Sequence, residues 1–279
     1  MERAKKRVKP RDIILFAVTV FLAILFIYPV FFALVSAFKS NGDILKDPVA
    51  LPTSLYVQNF KDLFAQSDFA GAILNSVIIT VVSEILIVCI VPMAAYGIER
   101  RKSKATSLVY TYFLAGMMIP FHLYMFPLFK EMKTFHLFGN MAGVMVCNIS
   151  GAIAFGCLLY SSFLKGIPLE IEEAAMIDGC TPFQTFWKIT FPLLGPCTGS
   201  MVILNGLGIW NDYLMPYLVL PSGKAKTITV EIAGFVGQYT ARWDIVFAGT
   251  IISIIPALVI FCAFQKYFVK GVTAGAAKG

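Results

Sequence analysis

The sequence predicts an all-α, polytopic membrane protein, and three observations carry that prediction. The 279 residues are 58% hydrophobic and only 14% charged, with a mean hydropathy of +0.78, far too apolar for a soluble domain around one core. Six stretches reach the roughly 20 mostly apolar residues that a spanning helix needs: Ile13 to Phe38, Gly71 to Ile98, Ala105 to Pro127, Met141 to Leu164, Pro196 to Leu220 and Phe247 to Phe264. None of them holds a lysine or arginine. Those residues gather at alternate connections instead, which sets the orientation. Arg3, Lys5, Lys6, Arg7, Lys9 and Arg11 precede the first span, and Arg100, Arg101, Lys102 and Lys104 follow the second. Lys165 and Lys188 lie between the fourth and fifth, and Lys266, Lys270 and Lys278 close the chain. Both termini and the fourth-to-fifth connection are therefore expected in the cytosol.

The chain reads as one membrane-spanning domain over 1–279, with a basic arm at 1–12, a six-helix core at 13–264 and a tail at 265–279. The arm reads as a topology determinant and a contact for anionic lipid rather than nucleic acid. The first span is longer than the roughly 7–15 residues of a signal-peptide core, so it is expected to be retained, with a kink at Pro29. Lys39 to Ala70 is a polar outer loop, in which the stretch from Asn59 to Phe64 suits a short surface helix. The second span carries Asn75, Ser76, Thr80, Ser83 and, near its middle, Glu84. A carboxylate there costs about 2.5–3.5 kcal/mol on insertion scales, so Glu84 must face protein or water, in a structural hydrogen bond or a transport role. Glu99-Arg100-Arg101-Lys102 reads as a solvated anchor. Pro120 should break the third span, since proline removes a helix donor and the freed carbonyl needs a partner that lipid cannot supply. His122 reads as packed, and the only other histidine, His136, falls in an outer loop, so no metal site is expected. Asn148, Gly151, Gly156 and Ser161 suit close packing of the fourth span. The fifth holds Asn205, Gly206 and the run Trp210-Asn211-Asp212-Tyr213, with a bend expected at Pro216.

Between the fourth and fifth spans, Ile167 to Pro196 is polar and helix-forming. Pro168 suits a first helical position, and Glu170, Glu172 and Glu173 place negative charge at the positive end of the helix dipole. Gly179 can close that helix in a left-handed conformation, and Thr181-Pro182 can cap and start another, which Phe191-Pro192 should end. Ala174, Ala175 and Gly179 leave the backbone open to close approach by another protein. This stretch resembles the EAA loop of ABC-importer permeases: Glu173-Ala174-Ala175, three residues, Gly179, nine residues, Ile189, then Pro192, with Phe191 where the family usually has Leu. The resemblance implies a coupling helix seated in a cleft of a separate ATPase subunit, with those six residues at the contact. The outer loop, the Met-Ile-Pro run in the third span, the Trp-Asn-Asp stretch and the Gln265 to Gly271 tail resemble the carbohydrate-uptake branch, particularly the shorter membrane subunit of maltose-type importers. Such a resemblance implies a non-enzymatic subunit of a bacterial inner membrane transporter. It would pair with a second, different permease, two ATPases holding ATP and Mg²⁺, and an external solute-binding protein.

The chain itself lacks the G-x-x-x-x-G-K-[ST] phosphate loop, since Gly223-Lys224 runs into Ala225, and no cofactor or catalytic residue is expected. Candidates for the substrate path are Asn148, Asn205, Trp210, Asn211, Asp212 and Tyr213, although a signature shared by permeases for different sugars equally suits a gate or a partner interface. With no basic residue in the spans, a neutral mono- or oligosaccharide is expected. An ion-coupled carrier using Glu84 and Asp212, or a membrane scaffold, are the alternatives.

Overall fold

The computed structural model describes residues 10–220 and 225–276, and side chains over 11–220 and 225–266. The basic arm from Arg3 to Lys9, the Gly223-Lys224 turn and the end of the tail, Lys278 included, lie outside the described residues. The helices in order are α1 (Pro10–Ser36), α2 (Asn41–Lys46), α3 (Gln58–Gln66), α4 (Phe69–Arg101), α5 (Lys104–Met117), α6 (Phe121–Thr134), α7 (Met141–Leu164), α8 (Leu169–Ile177), α9 (Pro182–Thr185), a π-helical turn (Phe186–Thr190), α10 (Phe191–Leu193), α11 (Gly195–Asn211), α12 (Leu214–Val219), α13 (Ile228–Ala233) and α14 (Trp243–Ala276). No strand occurs among the described residues. Ser40, Asp68, Ser103, Asn140 and Thr181 begin α2, α4, α5, α7 and α9, each accepting a bond from a first-turn N–H.

Four helices are long and apolar enough to cross a membrane: α1, α4, α7 and α14. Two bent pairs raise the number to six if each counts as one span: α5 with α6, turned by 108°, and Pro182–Leu193 with α11, turned by 75°. The first pair contains the break expected at Pro120, whose ring also bars Ile119 from the helical conformation. Pro29, the expected kink, lies inside α1, which is helical on both sides of it. Two other expectations need correction. The fifth span departs from helix at Asp212, not at Pro216, because the Asp212 carboxylate accepts from the N–H groups of Leu214 (3.0 Å) and Met215 (3.3 Å) and starts α12. Pro192 does not end the second helix of the connection: the π-helical turn ahead of it shifts the hydrogen-bond ladder, Phe191 N–H reaching Phe186 O, and the helical path continues to Leu193.

The chain forms two compact units. One combines the described part of Met1–Ser67 with Ile232–Ile252. Here the outer loop is built around the buried Lys39, whose ammonium donates to the carbonyls of Asp47 (2.6 Å), Pro48 (3.2 Å) and Ala50 (2.9 Å). Asn59, the first residue of the expected surface helix, is buried and donates to Ala37 O and Lys39 O. Asn41 holds the Ala241–Trp243 segment through both ends of its amide. Arg242 bridges Asp244 (3.0 Å) and Asp62 (3.4 Å), and the hydrogen bond it donates to Asp244 raises its pKa above the ordinary guanidinium value.

The other unit, Asp68–Glu231 with Ser253–Gly279, is organised by α4 lying along α7. Gly156 makes that approach possible: a Cβ there would run into Val91 and Met201. Ile87, Val91 and Ala95 of α4 close on Ala152, Cys157, Tyr160 and Leu164 of α7 and on Cys197 and Met201 of α11. A second apolar cluster, Ile79, Val144, Val219 and Leu220, fills the region nearer the start of α4. Beside it, Ser76 Oγ accepts from Ile228 N–H (2.8 Å) and Asn75 donates to Lys226 O (3.0 Å).

Candidate coupling site and transport path

Pro168 stands at the N-cap position of α8, without a capping hydrogen bond, rather than in its first turn, while Glu170 and Glu172 supply the acidic first turn. Its far end is a Schellman motif: Cys180 N–H bonds Ala175 O (3.0 Å), Gly179 N–H bonds Met176 O (3.1 Å), and Gly179 takes φ +91°. Along α8 the buried positions are Glu172 and Ala175, three apart on one face. Glu173 and Ala174 are exposed, as are Met176, Ile177 and, beyond the turn, Gly179 and Phe183. Ile177 is 86% and Phe183 63% exposed, so the outer side of this short helix presents apolar surface.

The buried side is held by one carboxylate. Glu172, 3% exposed, accepts from Arg100 Nη2 (2.8 Å) and Nε (3.1 Å), Tyr96 Oη (2.9 Å) and Thr190 Oγ1 (3.1 Å). Arg100 Nη2 also donates to Ile167 O (3.2 Å). The carboxylate thereby joins the last turns of α4, the first turn of α8 and the π-helical turn leading into α11. The expectation of a solvated anchor at Glu99 to Lys102 is corrected here for Arg100, whose side chain is only 14% exposed. Removing one partner from such a buried pair costs about 3–5 kcal/mol, because the other charge is left without compensation. Around Thr190 an aromatic cluster packs, with Tyr96 and Phe186 ring centroids 5.1 Å apart and Trp187 and Phe191 at 4.8 Å. Phe191 is thus an aromatic partner rather than a generic apolar filler. Ile189 is half-buried and Pro192 exposed.

The candidate path residues do not form one group. Trp210 points into the protein, 3% exposed, with Nε1 donating to Ser253 O (3.0 Å). Asp212 is committed to starting α12, and its own carbonyl accepts from Thr229 Oγ1 (2.7 Å). Asn211 is exposed and donates to Leu207 O, and Tyr213, 40% exposed, stacks on Tyr217 with centroids 5.2 Å apart. Asn205 donates to Met201 Sδ (3.0 Å), and Asn148 Nδ2 is buried without a partner. Glu84 lies on α4 between the two apolar clusters, 9% exposed, and neither oxygen has a partner among the described residues. A Cβ added at Gly206 would stand 3.9 Å from Glu84 Oε2, so α11 passes beside the carboxyl group. Neither Tyr96 nor Thr190 stands out in the sequence, where Arg100 reads as solvated and Glu172 only as dipole charge. The available signals were the three-residue spacing of Glu172 and Ala175 and the four-residue spacing of Tyr96 and Arg100.

Residues 90–274 match the family described as binding-protein-dependent transport system inner membrane component. The chain belongs to that family. This permease is 37% identical over 257 residues to a probable starch degradation products transport system permease protein, AmyC, of Thermoanaerobacterium thermosulfurigenes, covering 92% of this chain and 93% of the relative. It is 31% identical to the arabinooligosaccharides transport system permease protein AraQ of Halalkalibacterium halodurans, covering 93% of this chain and 94% of the relative. In fold it is similar to a chain of a bacterial ABC transporter involved in the import of the acidic polysaccharide alginate, with a TM-score of 0.78 at 22% identity, over 95% of this chain and 100% of that one. As a family member the permease is a membrane transport component, not an enzyme.

Proposed function

We propose that the permease is one membrane subunit of an ATP-driven importer that brings a neutral oligosaccharide into the cell. The observation that carries the reading is α8. It presents Glu173, Ala174 and apolar side chains outward while its inner face is tied to α4, the arrangement that a docking helix needs. The cytosolic side for α8 follows from the basic residues around it. A separate ATPase pair holds ATP and Mg²⁺ and receives α8. Glu173 orients the helix, Ala174 allows close approach of the partner, Ala175 on the buried face lets α8 lie close to its own chain, Gly179 makes the turn, and Ile189 and Pro192 shape the return to α11. A second, different permease completes the path, and an external solute-binding protein delivers the sugar on the opposite side. Residues 1–279 then act as one permease domain. ATP-driven closure of the ATPases moves α8 and rocks the two permeases between outward and inward access.

The names of the relatives support a carbohydrate, and spans without lysine or arginine support a neutral one. Along the path, Tyr213 and Asn211 offer an aromatic face and an amide to a passing sugar; Asn148 and Asn205 are further candidates. Trp210 and Asp212 serve the shape of the helix from which those groups project. The deciding experiment is reconstitution of the tagged permease with its co-purifying chains into liposomes, with the external binding protein and labelled malto- or arabino-oligosaccharides. Uptake that requires ATP and ignores ion gradients is the expected result. Uptake by the permease alone, driven by a proton or sodium gradient, would overturn the reading in favour of a carrier using Glu84.

A further inference from the structure

Glu173 is the acidic residue that the loop pattern singles out, yet the carboxylate with the most partners is its neighbour. Four donor atoms from three side chains surround Glu172: Arg100 Nη2 and Nε, Tyr96 Oη and Thr190 Oγ1. They belong to the end of a 33-residue helix, α4, and to the π-helical turn that feeds α11. Tyr96 and Arg100 stand one turn apart on α4, so the carboxylate is gripped along a length of helix and not at a single point. Because α8 has only nine residues and its other buried residue is Ala175, little apolar area holds it to the rest of the chain. A push on its exposed face can therefore reach α4 chiefly through Glu172.

We propose that Glu172 is a positioning residue that locks α8, the end of α4 and the π-helical turn into one block, so that displacement of α8 becomes displacement of α4 and α11. This rests on reading α8 as the docking helix. Without the carboxylate, α8 can still meet its partner but slips against α4 when pushed. Arg100 takes part through its planar fork, which addresses Glu172 from two nitrogens, so lysine at that position keeps the charge and loses the grip.

The test uses the whole importer complex, purified with the variants Glu172→Ala, Glu172→Gln, Arg100→Lys and Tyr96→Phe. The quantity measured is the ratio of ATP hydrolysis with sugar-loaded binding protein to hydrolysis without it, in assembled complex of verified stoichiometry. A residue that merely helps the chain fold lowers the amount of complex and leaves this ratio unchanged. The expected result is a ratio lowered by about fivefold or more in Glu172→Ala, a smaller loss in Glu172→Gln and Arg100→Lys, and the smallest in Tyr96→Phe, with sugar uptake following the same order. If Glu172→Ala yields too little complex, the Glu172→Gln and Tyr96→Phe ratios decide alone. An unchanged ratio in assembled variants overturns the lock. Wild-type permease that brings down no ATPase fails differently, since it overturns the docking reading itself.

Discussion

At the scale of single residues, Gly179 shows how one backbone angle can matter without any contact. Its φ of +91° is a conformation that a β-branched residue enters only under strain of about 1–3 kcal/mol, although a Cβ would meet nothing within 4 Å. Gly179→Val should therefore unwind the end of α8 and abolish ATP-driven uptake in membrane vesicles. Gly179→Asn, which tolerates the left-handed region, should retain most of it. Full uptake by the valine variant would show that the turn is dispensable. Trp210 makes the complementary case. Its indole bond to Ser253 O is worth about 0.5–1.5 kcal/mol net, so Trp210→Phe should lower the unfolding temperature in detergent while leaving the order of preference among sugars unaltered. A changed sugar preference would return Trp210 to the substrate path.

Among the elements, the contact between α4 and α7 decides whether the larger unit forms. In lipid there is no hydrophobic drive between apolar helices, so close backbone approach and dispersion contacts must hold them, and small residues permit that approach. Gly156 stands where a Cβ would overlap Val91 and Met201. Gly156→Val is expected to destabilise the fold by about 1–3 kcal/mol through overpacking, read as a lower midpoint of thermal aggregation in detergent. Gly151, in the same helix, has nothing within 4 Å of an added Cβ, and Gly151→Ala should leave that midpoint nearly unchanged. The bends between elements have equally local causes. Pro120 and Asp212 interrupt the helical path, one by withholding a donor and the other by accepting from the first N–H groups of a new helix, whereas Pro29 and Pro216 lie within continuous helices.

For the whole molecule the testable quantity is sidedness. Lysine and arginine concentrate at the connections around α8, so α8 is expected in the cytosol and the loop after the first span outside. A membrane-impermeant maleimide should label Leu55→Cys in intact cells, whereas Ile177→Cys should react only after permeabilisation; both positions are well exposed, at 72% and 86%. Equal labelling of both in intact cells would reverse the assignment of α8 to the cytosol. Composition and short spacing suffice for the apolar spans, the basic clusters, the Glu-Ala-Ala turn with its glycine, and the proline break at 120. Which polar groups meet depends on how the helices pack. Glu172 and Arg100 are 72 residues apart and Trp210 and Ser253 are 43 apart, and a helix periodicity names the face on which a side chain lies but not the partner that the fold brings to it. That is why the exposed Glu173 was legible in the chain and the buried Glu172 was not.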